Sequence, residues 1–383
     1  MIGEWTAEQQ QLHNEMLAFA ETSLNDDDVI ERDRENAFKE DYWQRCVEQN
    51  VFGLFIPQEY GGQGHSILTS VYALEGLGYG CRDNGFELAI SGQIWTVQEV
   101  LLHYADEEQK AQYLPQLLDG TIKGAHAITE AEAGSDAFNL STIAEKVTGG
   151  YRVTGSKMII GRAIVADIII LFASTNPDRG RWGVTAFILD AHADGVTISA
   201  PLEKMGLRTD LASNITLENV FIPDECVIGK VGAGAQIFNA SAVYERGFIF
   251  ACHVGSMARQ LDETIKFARK RKQGGQSIGK YQSVSNRLVD MKVRLENSRL
   301  LMYRAAANVD RGLDITLDSA MAKLTISESF MQNSIDAIRV MGGRGYLPEF
   351  HVERDLRDAM GGVLYGGTSD IQRNIIARMM GIG

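Results

Sequence analysis

Apolar residues recur every three or four positions through much of residues 6–120, which is the spacing of an amphipathic α helix. Asp106 followed by Gln109 has the form of a capping box, in which two side chains pair with free backbone N–H groups at a helix start. The pattern therefore predicts a mainly helical first third of the chain, including one helix that runs to Leu118. The clearest apolar faces comprise Leu12, Met16, Phe19 and Ala20, and further along Ile94, Val97, Val100 and Leu101.

The pattern changes twice after this helical region. Between residues 123 and 230 the chain has short β-branched runs broken by Gly, Asn and Asp, which predicts a compact β domain. From residue 235 to residue 377 helical spacing returns, with glycine-rich breaks at residues 273–279 and 342–345. The expected strands are residues 151–154, 168–172, 184–189 and 214–217, and the expected long helices are residues 284–308 and 317–341.

The composition is that of an ordinary globular protein, with 45% hydrophobic and 23% charged residues. A net charge of −13 excludes nucleic-acid binding driven by bulk positive charge. The four cysteines form no CxxC pair and the seven histidines lack ligand spacing, so we expect neither a disulfide framework nor a metal site. Residues 1–11 are polar, and no apolar run reaches the roughly 18 residues of a spanning helix, so we expect a cytoplasmic protein without membrane insertion.

Common cofactor and hydrolase motifs do not occur in the sequence. The glycine-containing run at residues 232–237 lacks the third glycine of a dinucleotide fingerprint and is more typical of a loop that enters a helix. The P-loop, HExxH and GxSxG patterns are also missing, which removes those three enzyme classes in their familiar forms.

Two polar turns have residues that suit a ligand. Residues 129–136 place small side chains, hydroxyls and free N–H groups in one turn, which fits an anionic or heteroaromatic cofactor, but an ordinary β-turn explains the same residues. Residues 365–370 precede a helix predicted over residues 371–380. There Thr368 or Ser369 is either a plain N-cap or part of a helix N-terminus that faces a ligand.

Glu245 lies in an apolar segment, residues 243–252, whose composition predicts one buried helix. A carboxylate in such surroundings must pair with a cation or change its pKa. Two interpretations stay open from the residues alone. Glu245 forms an ion pair with Arg246 or another buried cation, or it is a proton-abstracting base with a raised pKa.

A series of short motifs follows in order along the chain: IPQEYGG at 56–62, QK at 109–110 with YLP at 113–115, TE at 129–130 with AGSD at 133–136, KMGLR at 204–208, GG at 342–343 with GY at 345–346, and GTS at 367–369. Over about residues 40–380 this series closely resembles the acyl-CoA dehydrogenase superfamily. The resemblance implies an α+β multidomain fold, with an N-terminal α-helical domain over residues 1–122, a middle β domain of barrel or sandwich type over 123–232, and a C-terminal four-helix bundle over 233–383. It also implies a homotetramer with one FAD per subunit.

The resemblance further implies roles for individual residues. Many family members have a catalytic glutamate at the position of Gly366, and glycine cannot transfer a proton. Glu245 falls where isovaleryl-type members place their base, so we expect Glu245 to be catalytic and the Gly366 N–H to polarise the thioester oxygen. Arg246 and Tyr365 are the expected substrate contacts. The expected FAD contacts are Ile128, Thr129, Gly134, Ser135, Ile159, Gly161, Arg271, Gln273, Gln282, Arg339, Gly342, Gly343, Thr368 and Asp370, of which Arg271, Gln273 and Gln282 match positions that hold the FAD of a partner subunit.

Three positions depart from the family pattern around the cofactor. Ile159 stands where the family usually has a tryptophan that flanks the flavin, and Gly161 lacks the hydroxyl that usually bonds to flavin N5. Gly274 stands where most members have phenylalanine beside the FAD. We therefore expect FAD to bind, with altered tuning and altered access of solvent to the ring.

The reaction implied by the resemblance is α,β-dehydrogenation of an acyl thioester. A base at residue 245 leaves space beside Gly366, which favours acyl groups branched or ringed near Cβ. The altered flavin surroundings resemble those of enzymes that oxidise prolyl groups on peptidyl carrier proteins in secondary metabolism. The alternatives are an isovaleryl-CoA-type dehydrogenase that reduces an electron-transferring flavoprotein, and an inactive scaffold. Oxygen is a second candidate acceptor, because residues 159 and 161 shield the ring less.

Overall fold

The computed structural model describes residues 4–382, so residues 1–3 and 383 of the predicted terminal domains lie outside the described residues. The first part of the chain is helical, as predicted: α1 (Ala7–Ser23), α2 (Val29–Glu35), α3 (Glu40–Glu48), α4 (Ile67–Gly80), α5 (Asn84–Gly92), α6 (Glu99–Tyr104) and α7 (Glu107–Leu118). A π-helical turn, Gln93–Gln98, joins α5 to α6. The capping box at α7 is confirmed, because Asp106 accepts from the Gln109 N–H at 2.8 Å and the Gln109 side chain accepts from the Asp106 N–H at 3.1 Å.

The middle of the chain forms a mixed sheet of strands β1 (Gly124–Ala127), β2 (Ile143–Val147), β3 (Gly150–Gly161), β4 (Ile168–Ser174), β5 (Val184–Asp190), β6 (Val196–Ile198), β7 (Ala212–Pro223) and β8 (Val227–Ile228). The strand order is β6-β7-β3-β2-β4-β5-β8, and β1 runs parallel to β4. The four predicted strands are confirmed as parts of β3, β4, β5 and β7. Strands β3 and β7 are much longer than predicted, because the antiparallel pairing between them continues through polar positions.

Strand β4 is buried along its whole length. Successive side chains of a strand point to opposite faces, and here the two faces meet different cores. Ile169 and Leu171 pack inside the β domain, whereas Ile170 and Phe172 pack in the larger core shared with the helices. The unbroken apolar run of β4 therefore reflects burial on both faces and ties the β domain to the helical domains.

The last part of the chain is helical again: α8 (Gly234–Phe248), α9 (Ala251–Lys270), α10 (Gln282–Val309), α11 (Thr316–Met341), α12 (Val352–Gly362) and α13 (Ser369–Met379), with a small hairpin of β9 (Lys272–Gln273) and β10 (Gln276–Ser277). Helices α8 to α11 pack together as the C-terminal bundle. The single helix predicted over residues 243–252 is wrong, because α8 ends at Phe248 and α9 begins at Ala251. The break carries Phe250, which is buried and stacks on Tyr365 with ring centroids 5.3 Å apart, a tertiary contact that periodicity does not record. Among the described helices, none combines the length and the apolar character needed to cross a membrane.

Helices α4 and α9 approach each other closely through two glycines. A Cβ atom on Gly78 would lie 1.9 Å from the Cys252 carbonyl oxygen, and one on Gly255 would lie 2.0 Å from the Glu75 carbonyl oxygen. The two backbones thus pack at a distance that no side chain tolerates. This contact fixes the N-terminal helices against the bundle, and with them the two helical walls of the cavity described next.

Candidate active site

A cavity of about 580 Å³ lies where the N-terminal helices, the β domain and the C-terminal helices meet. Five of the residues predicted from the sequence line it: Thr129, Ile159, Gly161, Glu245 and Tyr365. A larger groove of about 830 Å³ runs along the other face of α8, and none of the predicted site residues lines it. The smaller cavity is therefore the candidate active site.

Glu245 projects from α8 into this cavity and faces Gly366. An ideal Cβ atom on Gly366 would lie 3.5 Å from Glu245 Oε1, so a side chain at residue 366 would be in van der Waals contact with the carboxylate. Gly366 has φ of +62°, a conformation that favours glycine. Among residues 4–382 no cation lies within salt-bridge distance of Glu245, so the ion pair with Arg246 that the sequence left open is wrong.

The charge of Glu245 is supported from a distance. Burial raises the pKa of its carboxyl group above the ordinary value, and the positive charges of Arg246, Lys323 and Arg162 oppose that rise. Lys323 is fully buried and donates to the Gly362 carbonyl oxygen at 2.9 Å. Its own pKa is lowered to about 8 by burial. A carboxylate whose proton affinity is raised by burial is suited to accept a proton from carbon.

Tyr365 also lines the cavity and directly precedes Gly366 in the chain. Its hydroxyl is 3.4 Å from His253 Nδ1, and its pKa is raised by burial and then by the negative charges of Asp210 and Glu245. Burial lowers the pKa of His253 to about 4, so the imidazole is neutral at physiological pH. The phenol therefore stays protonated between two carboxylates.

The turn that begins at Ile128 is anchored by a buried ion pair that we did not predict. Lys157 Nζ donates to Glu130 Oε1 at 2.7 Å and to the Ile128 carbonyl oxygen at 3.1 Å. The other oxygen of Glu130 accepts from the N–H and the hydroxyl of Ser141, each at 2.6 Å. The turn is thus held from inside the protein, and its outer residues are free to meet a ligand.

The outer face of this region fits a flavin. Gly134 and Ser135 are exposed, and a Cβ on Gly134 would meet no atom within 4 Å. A bulge in β3 interrupts the pairing with β7 between Lys157 and Ile160, and it places Ile159 at φ of +56° with 57% of its surface exposed. A β-branched residue in this conformation is strained, and strain of this kind is common at functional sites. An open glycine turn beside an exposed apolar side chain is the surface that a planar ring with a phosphate tail requires.

The remaining nine predicted FAD contacts lie outside the cavity lining, in three different places. Thr368 caps α13 by accepting from the Ile371 N–H at 3.3 Å, and Asp370 is exposed in the first turn of the same helix. Ile128 is buried behind the glycine turn. The other six are all exposed on the bundle and its hairpin, away from Glu245: Arg271, Gln273, Gln282, Arg339, Gly342 and Gly343.

The sequence analysis did not assign to the site six polar residues that line the cavity: Thr96, His126, Arg162, Lys204, Asp210 and Arg357. Arg162 and Asp210 form a pair, with Nη1 and Oδ1 3.4 Å apart. Both residues lie next to positions that the sequence analysis singled out: Arg162 directly follows Gly161, and Asp210 lies two residues after the KMGLR motif. Neither position looked unusual until the fold placed them together.

Comparison with known proteins assigns the family. The acyl-CoA dehydrogenase N-terminal, middle and C-terminal domain models match residues 6–121, 125–220 and 232–381. The chain therefore belongs to the acyl-CoA dehydrogenase family, which confirms the resemblance inferred from the motifs and the predicted order of the three domains.

Within the family, the chain is similar to enzymes of two kinds. It is 42% identical to an L-prolyl peptidyl-carrier-protein dehydrogenase of Pseudomonas fluorescens, over 88% of this chain and 89% of that protein. It is 34% identical to a mitochondrial isovaleryl-CoA dehydrogenase of Solanum tuberosum, over 90% of this chain and 84% of that protein. The solved structure of the prolyl acyl carrier protein oxidase AnaB has a TM-score of 0.97 and 42% identity, covering 99% of this chain and 100% of its own. The FAD complex of PigA has a TM-score of 0.96 and 35% identity, covering both chains fully.

The Glu130–Lys157 pair predicts acid sensitivity. The pKa of Glu130 is lowered to about 2, because its burial is outweighed by Lys157 and by hydrogen bonds from Ser141 and Thr142. Its unfolded pKa is near the ordinary 4.5, so the folded protein binds fewer protons between these values. The stability that Glu130 contributes should be fully present above pH 4.5 and lost as the pH falls towards 2. Urea denaturation between pH 6 and pH 3 measures this loss.

Glu130→Gln should destabilise the protein at pH 7, because Lys157 stays buried without its partner, and should flatten the dependence of the unfolding free energy on pH below 4.5. Glu132→Gln, at an exposed position two residues along the turn, is the matched control and should keep the wild-type pH dependence. Identical pH slopes for wild type and Glu130→Gln would show that the ion pair does not carry the effect.

Proposed function

We propose that this protein is an FAD-dependent acyl-thioester dehydrogenase whose substrate is an L-prolyl group carried by a peptidyl carrier protein. The observation that carries the proposal is the carboxylate of Glu245, which points into the cavity at the space left by Gly366. Similarity to prolyl carrier-protein enzymes at 42% identity over nearly the whole chain supports the choice of acyl group and carrier.

The proposal assigns FAD to the open face around the glycine turn and the β3 bulge. When bound, FAD supplies the acceptor for the hydride that leaves Cβ. Thr129, Gly134 and Ser135 would bind it through the turn, and Ile159 would cover its ring beside Gly161. The FAD complex of the similar protein PigA supports this cofactor.

Glu245 then acts on the substrate as the base. The proton leaves Cα for the carboxylate while the electron pair of the Cβ–H bond departs as hydride, so a double bond forms between Cα and Cβ. The Gly366 N–H would polarise the thioester oxygen and so stabilise the developing enolate. Arg246 and Tyr365 would border the acyl group. The positive charges of Arg246, Lys323 and Arg162 favour the ionised form of Glu245 and so oppose the rise in its pKa that burial causes.

Replacement of the base tests the proposal. Glu245→Gln keeps the shape of the side chain but cannot accept a proton, so turnover of prolyl carrier protein should fall by about 10³-fold or more, with folding and the flavin spectrum preserved. Glu8→Gln, on the exposed side of α1, is the control and should keep wild-type turnover. Near wild-type turnover in Glu245→Gln would remove this residue from the mechanism.

The same assay separates the substrates. Wild-type enzyme that reduces its flavin with isovaleryl-CoA but not with prolyl carrier protein would be an isovaleryl-type dehydrogenase, and the prolyl proposal would be wrong. Protein that carries no flavin after purification and reconstitution would be the inactive scaffold.

The double variant Glu245→Gly with Gly366→Glu should recover partial activity, since the two positions face the same space.

We further propose a homotetramer in which the exposed residues of the bundle serve a neighbouring subunit. Arg271, Gln273 and Gln282 are exposed and lie away from Glu245, which supports a role across an interface. The exposed apolar side chains of α10 support the same assembly: Val289, Val293 and Leu300 are each more than half exposed.

Light scattering during size exclusion should therefore give four times the 42.2 kDa subunit mass. Arg271→Ala should lower the FAD content, because a positive group would be lost beside the neighbour's cofactor. Arg287→Ala, a half-buried arginine on α10, is the control and should keep full FAD occupancy. A monomer with full FAD occupancy would contradict the assembly.

Oxygen is the proposed electron acceptor. Ile159 gives less cover than the usual tryptophan, Gly161 offers no hydroxyl to flavin N5, and the similar protein AnaB is described as an oxidase. Substrate-reduced enzyme mixed with air-saturated buffer in a stopped-flow instrument should reoxidise at least as fast as turnover and form hydrogen peroxide. Reoxidation far slower than turnover, without peroxide, would leave an electron-transferring flavoprotein as the acceptor.

A cytoplasmic location completes the proposal. Cys46, Cys81, Cys226 and Cys252 are free thiols, and the first two and the last are buried. Free thiols are typical of a reducing compartment, which supports the cytoplasm as the site of action.

A further inference from the structure

The cavity contains a built ion pair that an apolar acyl group would not use. Arg162 and Asp210 both line the cavity, and only 5% and 4% of their surfaces are exposed. Arg162 lies directly after β3 at φ of +62°, and its N–H donates to the Leu211 carbonyl oxygen at 2.5 Å. Lys204 Nζ donates to the backbone carbonyl oxygens of Asp210 and Leu207. Removing two charged groups from water costs desolvation free energy, which their mutual attraction often does not repay. A buried ion pair that lines a substrate cavity therefore indicates a role other than stabilising the fold.

Two glycines make room for this pair. A Cβ atom on Gly92 would lie 2.4 Å from both terminal nitrogens of Arg162, so the guanidinium occupies space that any other residue would fill. A Cβ atom on Gly161 would lie 3.2 Å from Asp210 Oδ2. Gly161 thus leaves that oxygen uncovered on the side of the cavity, whereas Arg162 contacts the other oxygen, Oδ1, at 3.4 Å.

Among residues 4–382 no side chain donates a hydrogen bond to Asp210 Oδ2, although the positive charges of Arg162 and Lys204 both act on the carboxyl group. Its contact with Arg162 is long for a charged hydrogen bond, and burial raises the pKa of Asp210. Arg162 also supports the charge of Glu245, so its positive charge is shared between two carboxylates. Asp210, Glu245 and Tyr365 line the same cavity. An N–H donor of a cationic group on the substrate would give Oδ2 the hydrogen-bond partner that it lacks.

We propose that Asp210 is the specificity residue of this enzyme and that its Oδ2 atom binds the ring ammonium of a cyclic aminoacyl substrate. The inference rests on the proposed function, because the prolyl ring carries such a group on Cα. An α-amino group has an ordinary pKa of about 8, so it is cationic at neutral pH and offers two N–H donors. Binding the nitrogen at Asp210 turns the Cα–H bond towards Glu245. A hydrocarbon acyl group of the same shape makes no such contact.

Two thioesters of equal shape test the charge alone. L-prolyl and cyclopentanecarbonyl groups, each on pantetheine, differ in the ring nitrogen. Their affinities are measured by calorimetry on the FAD-loaded Glu245→Gln enzyme, which binds without turnover. This Glu245→Gln enzyme, the parent of the variants below, should bind the prolyl thioester about 10- to 100-fold more tightly than the cyclopentanecarbonyl thioester. The reason is that a site built for a hydrogen bond rejects the analogue that lacks it.

Asp210→Asn should remove this preference. It should weaken the binding of the prolyl thioester and leave the affinity for the cyclopentanecarbonyl thioester unchanged. Because that variant leaves Arg162 buried without its partner, the double variant Arg162→Gln with Asp210→Asn removes both charges together and should lose the preference equally. Glu75→Gln is the matched control, since Glu75 is a buried carboxylate paired with Arg299 at 2.7 Å and does not line the cavity. It should keep the preference.

The possible results distinguish a failure of the role proposed for Asp210 from a failure of the proposed prolyl dehydrogenase function. A prolyl preference retained in both Asp210 variants would overturn the role of Asp210 and leave the prolyl function standing. A parent enzyme that binds the cyclopentanecarbonyl thioester but shows no prolyl preference would overturn the inference as well. A parent that binds neither thioester would overturn the proposed function itself.

Discussion

A carboxylate can work as a base inside a protein only where its charge is supported, and the surroundings of Glu245 meet this condition without a direct ion pair. The supporting cations come from different parts of the chain: Arg246 is the next residue of α8, Lys323 lies on α11, and Arg162 follows β3. Their fields reach the same point only after the bundle has formed and the sheet has packed against it. The chemistry of the site therefore depends on how the domains are assembled, and the α4–α9 contact and the doubly buried β4 are the features that fix this assembly.

Local sequence patterns predict much of this fold. The capping box at α7, the strands of the middle domain and the long helices of the bundle all follow from spacing and residue type, because each depends on neighbours in sequence. The succession of domains and the family also follow from short motifs. At Glu245 the residues alone left a choice between an ion pair and a base, and only the placement of Arg246 relative to the carboxylate removes the first alternative.

The features that escaped prediction depend on residues distant in sequence. Glu130 and Lys157 are 27 positions apart, and Arg162 and Asp210 are 48 apart, so nothing local marks either pair. The break between α8 and α9 is likewise set by the packing of Phe250 against Tyr365, whereas the apolar pattern runs on without interruption. Arg271, Gln273 and Gln282 are exposed and do not line the cavity, and their expected role towards another subunit stays a prediction.

The bulge in β3 has a consequence for how such a site can change over generations. Lys157 and Ile160 both point inward although two residues separate them, because the bulge adds one residue to β3 and shifts its register against β7 by one position. Met158 and Ile159 consequently face outward and carry little of the core. Substitutions there can alter the surface proposed to meet the flavin while leaving internal packing intact. If that proposal holds, the fold separates the positions that would tune the redox chemistry from those that keep the protein folded, and the two sets are free to diverge at different rates.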